Sequence, residues 1–409
     1  MVDFQHANPT RRVSAAMITL LFVAWVGLPG FDLVFHVDPA PQLNERRALA
    51  ERPKVPTTLR EFYAWPGQFE RYFNDHLGFR NSLIRANSFA MVYGFQKSPL
   101  LPPVVSHEAW MRETQTSGTQ SLYPRVVVGR NGWLYFGEDE TLDDYRGLRG
   151  WEDSDLRNWT RRLGNRLDWL KARGIAYAYA VAPNKHAVYP EFLPESLTPT
   201  SRQPKFTKWM EAMESQPGLP VLDLHSQILA EKAKGTPVYF PTDSHWTDQG
   251  GIIAYREIMD SLHRQNPKLK GLGQDEMTEL RKRIPGGDLA EMIGLADMFP
   301  FDDLQYWPAN YGKVRRGKGL VGKPSFVSEV DGQTTPTVVI FHDSFGVTLW
   351  KYFAATFGRC VCYPYEEFDP AIIEAEKPDA VIEIMAERHV VNMTARGLDA
   401  LAKMPANTP

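Results

Sequence analysis

Two short polar motifs hold the residues best suited to chemistry. Asp243-Ser-His-Trp places a carboxylate and an imidazole two positions apart, and Phe341-His-Asp-Ser-Phe-Gly contains a serine between an apolar run and a glycine. A serine hydroxyl is a weak nucleophile near neutral pH, so it needs a general base, and a third group must fix the tautomer of that base. Asp243, His245 and Ser344 supply these parts, in the chain order that subtilisin also uses.

Each motif also has a plainer interpretation. Ser344 and Asp343 could simply cap a helix, and a loop histidine beside an aspartate is often only a satisfied hydrogen-bonding group. A divalent metal site is another alternative, since His342, Asp343, Asp243 and His245 are all possible ligands. However, no H-E-x-x-H, C-x-x-C or acidic calcium loop accompanies them, so we expect neither a metal nor a cofactor.

The elements that must position these residues alternate between strands and helices. Helical patterns cover 153–173, 205–213, 250–264 and 347–356, and continuous apolar runs predict strands at 175–182, 221–224, 337–341 and 380–385. This alternation indicates a mostly parallel sheet covered on both faces. Ligands in such folds lie beyond the carboxyl ends of the strands, where Ser344, Asn184 and Lys185 fall and where the loop of Asp243 and His245 can join them.

The residues before this region predict an anchor and an extension. Residues 13–31 carry no charged side chain and follow Arg11 and Arg12, which predicts a membrane-spanning helix with a cytoplasmic N-terminus; a cleaved signal peptide is the alternative. A proline-rich tether follows, and 58–95 is amphipathic and helical, with a break expected at Pro66-Gly67. Residues 126–136 surround an Asn-Gly pair and predict a β-hairpin.

Composition excludes several classes of protein. The chain has 409 residues, 43% of them hydrophobic, and a net charge of only −3, which argues against disorder and against electrostatic nucleic-acid binding. The only cysteines are Cys360 and Cys362. Two cysteines on one face of a strand rarely meet disulfide geometry, so we expect buried, unpaired thiols.

Taken in order, the motifs resemble the SGNH-hydrolase-like proteins related to the alginate O-acetyltransferases AlgJ and AlgX. The resemblance covers most of the chain and rests on Asn44-Glu-Arg-Arg-Ala-Leu-Ala, Tyr72-Phe-Asn-Asp-His-Leu-Gly-Phe-Arg, Val128-Gly-Arg-Asn-Gly-Trp-Leu-Tyr-Phe, Ala182-Pro-Asn-Lys with Tyr189-Pro, Asp243-Ser-His-Trp, Asp343-Ser-Phe and Glu387-Arg.

The resemblance implies a fold and a domain plan. The fold is a three-layer α/β/α, flavodoxin-like SGNH domain with a mostly parallel sheet, plus the N-terminal transmembrane helix. The plan is a cytoplasmic tip and anchor (1–36), a tether and helical extension (37–125), the catalytic domain (126–400) and a tail (401–409). Because about 65 residues follow Ser344, we expect no carbohydrate-binding module of the AlgX type.

The resemblance also implies roles for the site residues. Ser344 is the nucleophile, His245 the base and Asp243 its orienting acid, in an order permuted from ordinary SGNH esterases. His342 stands where many SGNH members have glycine, so it is expected to crowd or tune the site. The Ser344 N–H and Asn184 are expected to hold the oxyanion. Substrate or oxyanion contacts are also expected from Lys185, Arg388, Trp246 and the aromatic run 299–311.

The implied function is a periplasmic, inner-membrane-anchored O-acetyltransferase that modifies a bacterial exopolysaccharide. Its implied partners are the polysaccharide acceptor and a membrane-bound O-acyltransferase that passes acetyl groups outward. A carbohydrate esterase with the same triad is the alternative among enzymes, and an anchored, non-catalytic scaffold of a secretion complex is the alternative outside them. No motif identifies the polysaccharide.

Overall fold

We describe the protein from a computed structural model, which covers 9–40, 43, 48–95, 123–151, 153–197, 199–200, 203–332, 336–365 and 368–392. The predicted tail 401–409, most of the cytoplasmic tip and part of the motif beginning at Asn44 lie outside these residues. The chain divides into two units, one formed by 1–95 with 290–296 and the other by 96–289 with 297–409.

The first unit is helical. It contains α1 (Pro9–Phe35), α2 (Leu59–His76), α3 (Arg80–Phe89) and a π-helix (Ala90–Phe95). Thr58 and Glu61 form a capping box that starts α2. The predicted break at Pro66-Gly67 is wrong, because α2 continues through Pro66 and ends only at His76, shortly before Phe79 takes a left-handed conformation.

Helix α1 covers the predicted anchor, residues 13–31. Among the residues that the structure describes, however, no helix is both long enough and apolar enough to cross a membrane. The structure therefore does not confirm the predicted span.

The second unit is built on a seven-stranded sheet. Its strands, in the spatial order β4-β3-β11-β9-β10-β8-β7, are β3 (Ala176–Ala182), β4 (Val221–Asp223), β7 (Val314–Arg316), β8 (Phe326–Val330), β9 (Thr337–His342), β10 (Arg359–Pro364) and β11 (Ala380–Ala386). The five strands from β4 to β10 pair in parallel, and β8 and β7 continue the sheet antiparallel. The predicted mostly parallel sheet is confirmed.

Two antiparallel hairpins accompany the sheet. They are β1 (Val126–Val128) with β2 (Leu134–Phe136), and β5 (Met277–Ile284) with β6 (Phe301–Pro308). Asn131 and Gly132 have positive φ between β1 and β2, which confirms the predicted Asn-Gly turn. The β5–β6 hairpin was not predicted.

The helices of this unit include α4 (Thr141–Tyr145), α5 (Asp153–Lys171), α6 (Lys185–Val188), α7 (Lys205–Glu214), α8 (His225–Ala233), α9 (Asp248–Gln265), α11 (Trp350–Thr356), α12 (Pro370–Glu376) and α13 (Glu387–Asn392); α10 (Asp288–Met292) begins in it. Residues Ser344–Leu349 form a 3₁₀-helix before α11.

The sheet has a buried core on each face. On β3 the alanines at 176, 178, 180 and 182 face one core, to which α9 and α11 also contribute. Tyr177, Tyr179 and Val181 face the other, with α5, α7 and α12. Alternate side chains of a strand point to opposite faces, so this internal strand is buried only if helices cover both faces of the sheet. A three-layer α/β/α arrangement results.

Cys360 and Cys362 lie on β10, and both belong to the core that contains the alanine face of β3. Their sulfurs are 3.8 Å apart, and both thiols are buried and unpaired. The expectation of a strand pair without a disulfide is confirmed.

Candidate active site

Ser344, His245 and Asp243 form one chain of hydrogen bonds. His245 Nε2 lies 2.8 Å from Ser344 Oγ, and His245 Nδ1 lies 2.6 Å from Asp243 Oδ1. An imidazole protonated on Nδ1 donates to the carboxylate and leaves Nε2 free to accept the serine proton. Ser344 is exposed, so its oxygen can meet a substrate from solvent.

Asp343 fixes the turn that presents Ser344. Its Oδ1 accepts the N–H of Phe345 at 2.9 Å, which caps the 3₁₀-helix, and its Oδ2 accepts the N–H of Ala386 and Nδ1 of His389. Burial favours a higher pKa for Asp343, but the hydrogen bond from His389 and nearby positive charge outweigh it and lower that pKa. The serine therefore stands on a turn tied to the carboxyl end of β11.

The His342 side chain packs closely against this turn. Its Nδ1 lies 2.6 Å from the Asp343 carbonyl oxygen, and its Nε2 accepts the indole N–H of Trp350 at 2.9 Å. A Cβ added to Gly346 would lie 2.5 Å from the His342 Cβ, so only glycine fits there. Both ring nitrogens of His342 therefore already have hydrogen-bonding partners, and its side chain packs against the turn and supports it.

The loop that carries Asp243 and His245 is held by Lys185. The buried Lys185 ammonium donates to the carbonyl oxygens of Leu134 and Pro241, both at 2.6 Å, and of Asp243 at 3.0 Å. These contacts use all three of its donors. Burial lowers the pKa of Lys185 to about 7. The expected substrate contact is therefore not what the structure shows, because Lys185 joins the triad loop to β2.

Asp288, which was not singled out from the sequence, lies beside the triad. It accepts the N–H and hydroxyl of Ser244 at 2.7 and 2.6 Å, and its own N–H donates to Asp243 Oδ2 at 2.9 Å. Its Oδ2 is 3.6 Å from His245 Nδ1. Burial, together with the charge of Asp243, raises the pKa of Asp288. The one sequence signal was its place after Gly286-Gly287, just before an apolar stretch.

Gly287 permits the close approach of this loop to Asp243. A Cβ at position 287 would lie 2.2 Å from Asp243 Oδ2 and 2.3 Å from the Asp243 Cβ. Burial alone would raise the pKa of Asp243, but the hydrogen bond and charge of the His245 ring and the N–H of Asp288 outweigh it and hold that pKa far below its ordinary value. The orienting carboxylate therefore stays ionised across the working pH range.

The metal alternative does not fit the four residues proposed for it. His342 and Asp343 are bonded within the turn beneath Ser344. Asp243, His245 and Asp288 do offer three ligand atoms within 4.8 Å of one another. Each of these ligand atoms already takes part in a hydrogen bond or close ionic contact within the site. This pattern is that of an oriented base.

Three other predicted residues lie around the site. Asn184 is buried; its N–H donates to Glu387 at 2.7 Å, and its Nδ2 has no hydrogen-bond partner among the described residues. Arg388 is buried with its guanidinium 5.3 Å from the centre of the Phe345 ring. Trp246 is 1% exposed and packs edge-on against Phe345, so it supports the triad loop from within the core.

Comparison with known proteins shows what one part of the chain is similar to. Residues 126–319 match the family model of the SGNH hydrolase-like domain of acetyltransferase AlgX. The resemblance inferred from the motifs is thus confirmed. Asp243, His245 and Asp288 lie inside the matched residues, and Ser344 lies beyond them, so its place in the site rests on the hydrogen-bond geometry.

Two relatives are each described as a probable alginate O-acetylase AlgJ. The chain is 31% identical over 179 residues to a probable alginate O-acetylase AlgJ of Pseudomonas fluorescens, covering 43% of each chain. It is 30% identical over 177 residues to that of Pseudomonas putida, covering 43% of this chain and 44% of the relative. The match therefore spans less than half the length of these relatives.

A solved structure supports the fold. The structure of Bacillus cereus PatB1 superposes with a TM-score of 0.50 and 13% identity, covering 64% of this chain and 97% of PatB1. At this identity the similarity concerns the α/β fold alone. It agrees with the SGNH-like arrangement of sheet and helices described above.

Proposed function

We propose that this protein is an O-acetyltransferase that acetylates hydroxyls of a bacterial exopolysaccharide through an acetyl-Ser344 intermediate. The observation that carries the proposal is the unbroken hydrogen-bond chain from Ser344 through His245 to Asp243. The AlgX-type domain and the AlgJ relatives support acetyl transfer as the reaction.

In the first step, Ser344 Oγ attacks the carbonyl carbon of the acetyl donor while His245 Nε2 takes the hydroxyl proton. The tetrahedral intermediate then collapses, the bond from carbon to the donor oxygen breaks, and His245 returns the proton to that leaving oxygen. The products are acetyl-Ser344 and the donor alcohol. Asp243 holds the ring and stabilises the imidazolium between the two proton transfers.

In the second step, a sugar hydroxyl attacks the acetyl carbon of acetyl-Ser344. His245 removes the proton of that hydroxyl, the bond to Ser344 Oγ breaks, and the proton passes to the serine oxygen. The result is an acetylated sugar and free Ser344. If water attacks instead, the same steps give acetate, which is the esterase alternative.

The oxyanion of both intermediates needs hydrogen-bond donors. Ser344 is the first residue of the 3₁₀-helix, so its N–H is not used by a hydrogen bond within that helix. The Phe345 N–H, by contrast, already donates to Asp343. The second candidate is the buried Asn184 side chain, whose Nδ2 has no hydrogen-bond partner within the described part of the chain. Removing one such donor in other enzymes costs about 3 kcal/mol of transition-state stabilisation, which sets the expected size of its contribution.

We further propose that the reaction takes place in the periplasm, with residues 13–31 holding the protein at the inner membrane. The support is the uncharged stretch after Arg11 and Arg12. Acetyl-CoA is cytoplasmic, so a membrane-bound O-acyltransferase would supply the acetyl group from the other side. The polysaccharide is the acceptor partner.

The choice between a sugar hydroxyl and water as the acetyl acceptor distinguishes the transferase from the esterase. The protein is incubated with an activated acetyl ester, with and without oligosaccharide, and the products are resolved by mass spectrometry. We expect acetylated oligosaccharide to form at the expense of acetate; acetate as the sole product would overturn the transferase. A Ser344→Ala strain that still acetylates its polymer fully would favour the scaffold.

A further inference from the structure

A cavity lies next to the triad in the second unit and has no role in the chemistry described so far. Its volume is about 410 Å³, within the roughly 300–1,000 Å³ of typical small-ligand pockets. Trp246, the neighbour of His245, lies on one side of it, and Val347 and Thr348 of the 3₁₀-helix lie on another. We call this cavity the hairpin groove, because β6 supplies Asp303, Gln305 and Trp307 to its wall.

The 3₁₀-helix links Ser344 to the hairpin groove. Side chains three residues apart on such a helix eclipse one another, at a rise of about 2 Å per residue, so Val347 lies about 6 Å from Ser344 along the same face. Ser344 is exposed and Val347 is 46% exposed. A chain of sugars that presents one hydroxyl to Ser344 can therefore place a neighbouring unit in the groove.

Aromatic side chains form part of the groove wall. Trp307 and Tyr311 are partly exposed and meet edge to face, with ring centres 5.1 Å apart. The Trp307 indole N–H donates to Gln305 at 3.2 Å, and the Lys351 ammonium lies 4.9 Å from its ring centre. The indole is thus fixed in place. The C–H face of a pyranose is weakly positive and apolar, which suits the electron-rich face of such a ring.

The carboxylates of the groove accept hydrogen bonds. Asp303 is 4% exposed; its Oδ2 accepts the Gln305 amide at 2.9 Å, and its Oδ1 has no hydrogen-bond partner among the described residues. Asp248 binds the Lys351 ammonium at 2.8 Å. Burial raises the pKa of Asp303. A sugar hydroxyl can donate to the Asp303 carboxyl, whereas a second carboxylate cannot.

The charge of the groove therefore selects among sugars. Among the described residues that line it, the charged side chains are Asp248, Asp303 and Lys351, and Lys351 is already paired with Asp248. A uronate would bring a further negative charge beside Asp303, and none of the described residues that line the groove offers an unpaired cation to balance it. An uncharged pyranose brings hydroxyl donors and an apolar face.

We propose that the hairpin groove binds an uncharged pyranose unit of the acceptor polysaccharide next to the unit acetylated at Ser344. This assignment rests on the proposed function, since it identifies the class of acceptor for the same site. It also separates this chain from a strict preference for polyuronates, although its relatives are named as alginate O-acetylases.

Binding measured without chemistry tests the assignment. The full chain carrying Ser344→Ala is titrated with the neutral hexasaccharides cellohexaose and mannohexaose and with hexamannuronate, by calorimetry. We expect at least one neutral hexasaccharide to bind about tenfold more tightly than hexamannuronate, a difference that one unpaired charge can produce. Absence of binding by both neutral hexasaccharides, or equal or tighter binding of hexamannuronate, would overturn it.

Four further substitutions in the Ser344→Ala background locate the binding. Trp307→Ala should weaken the neutral ligand about tenfold and Trp307→Phe less, because phenylalanine keeps an aromatic face. Asp303→Asn should keep neutral binding and tighten hexamannuronate severalfold, since it removes a charge. Tyr63→Ala, which removes an 82% exposed aromatic side chain in α2, is the matched control and should change nothing.

The proposed site would be contradicted if Trp307→Ala and Asp303→Asn both bound the neutral hexasaccharides and hexamannuronate with the same affinities as the parent. A protein that binds neutral sugar as expected but never forms acetylated product would instead contradict the proposed function, so the two failures are distinguishable. Thermal unfolding of each variant is compared with that of the parent, and Asp303→Asn decides the question if Trp307→Ala does not fold.

Discussion

At the residue scale, the site consists of a nucleophile, a base and two carboxylates with different roles. Asp243 faces His245 Nδ1 at 2.6 Å and is held ionised, whereas Asp288 holds Ser244 and supports Asp243 through its backbone N–H. The pKa of Asp243 is lowered and that of Asp288 is raised, and two neighbouring carboxylates with such opposite environments serve different purposes. Asp288 is thus a positioning residue.

Replacing Asp288 by alanine should slow acetyl transfer about ten- to a hundredfold, because the triad loop loses the acceptor of Ser244 and keeps the nucleophile and base. The loss should appear in kcat with little change in KM, since Asp288 has no place in substrate binding. Asp288→Asn, which keeps one acceptor oxygen, should recover part of the rate. Steady-state kinetics of both variants measure this; a full rate in Asp288→Ala would contradict the positioning role.

At the element scale, loops after strands bring the triad together. The turn after β9 presents Ser344, the loop before α9 presents His245, and Lys185 ties that loop to β2 through three carbonyl oxygens. The loop after β5 closes on Asp243 at Gly287. Each contact lies between segments far apart in sequence, so the site forms only when the second unit has folded.

Adding one methyl group at Gly287 should therefore damage the site more than the fold. Gly287→Ala would set a Cβ within 2.2 Å of Asp243 Oδ2, and either the carboxylate or the loop must move. We expect acetyl transfer to fall about a hundredfold or more with a small loss of stability, because misplacing one catalytic group by about 1 Å has that effect.

Gly164→Ala in α5 is the matched control for this change. A Cβ there would meet nothing within 4 Å, and alanine is the better helix former by about 1 kcal/mol, so stability should rise and activity stay constant. Activity assays and thermal unfolding of both variants make the comparison. Equal activities in the two variants would argue against the tight Asp243–Gly287 contact.

Features set by local sequence patterns were predictable, whereas features set by contacts between residues far apart in the sequence were not. The buried strand β9 was predicted, at 337–341, because the four residues from Val338 to Phe341 are all apolar. The rule that sites lie at strand ends then brought Ser344 and His245 together. The β5 strand was missed because its side chains are mostly exposed and charged. Asp288 was missed because its bonds to Ser244 and Asp243 join loops that no local pattern connects.

At the scale of the whole molecule, ionisable groups are buried beneath the sheet edge and link stability to pH. Glu387 follows β11 and is buried, and it accepts the Asn184 N–H at 2.7 Å. Burial raises the pKa of Glu387 from its ordinary 4.5 to about 8. The folded protein therefore retains this proton at neutral pH, whereas the unfolded chain releases it.

The sign of the pH dependence follows from this difference. Stability from Glu387 is fully present below about pH 4.5 and is lost as pH rises to about 8, since the folded state binds the extra proton in that window. Glu387→Gln resembles the protonated acid and cannot titrate. Between about pH 5 and about pH 8.5, the wild type should lose about 1–4 kcal/mol more unfolding free energy than the variant. Denaturant unfolding at both pH values measures it; parallel losses would contradict the assignment.

The central claim is that Ser344 carries the acetyl group, and trapping the acetyl-enzyme tests it most directly. The protein is mixed with an activated acetyl ester, quenched in acid and mapped by peptide mass spectrometry, with Ser344→Ala and Asp243→Asn alongside. We predict one acetyl group on Ser344 in the wild type, none at that position in Ser344→Ala, and slow accumulation in Asp243→Asn, with oligosaccharide hastening the loss of the label. A wild type that turns over the ester without acetylating Ser344, or an equal rate in Ser344→Ala, would contradict the account.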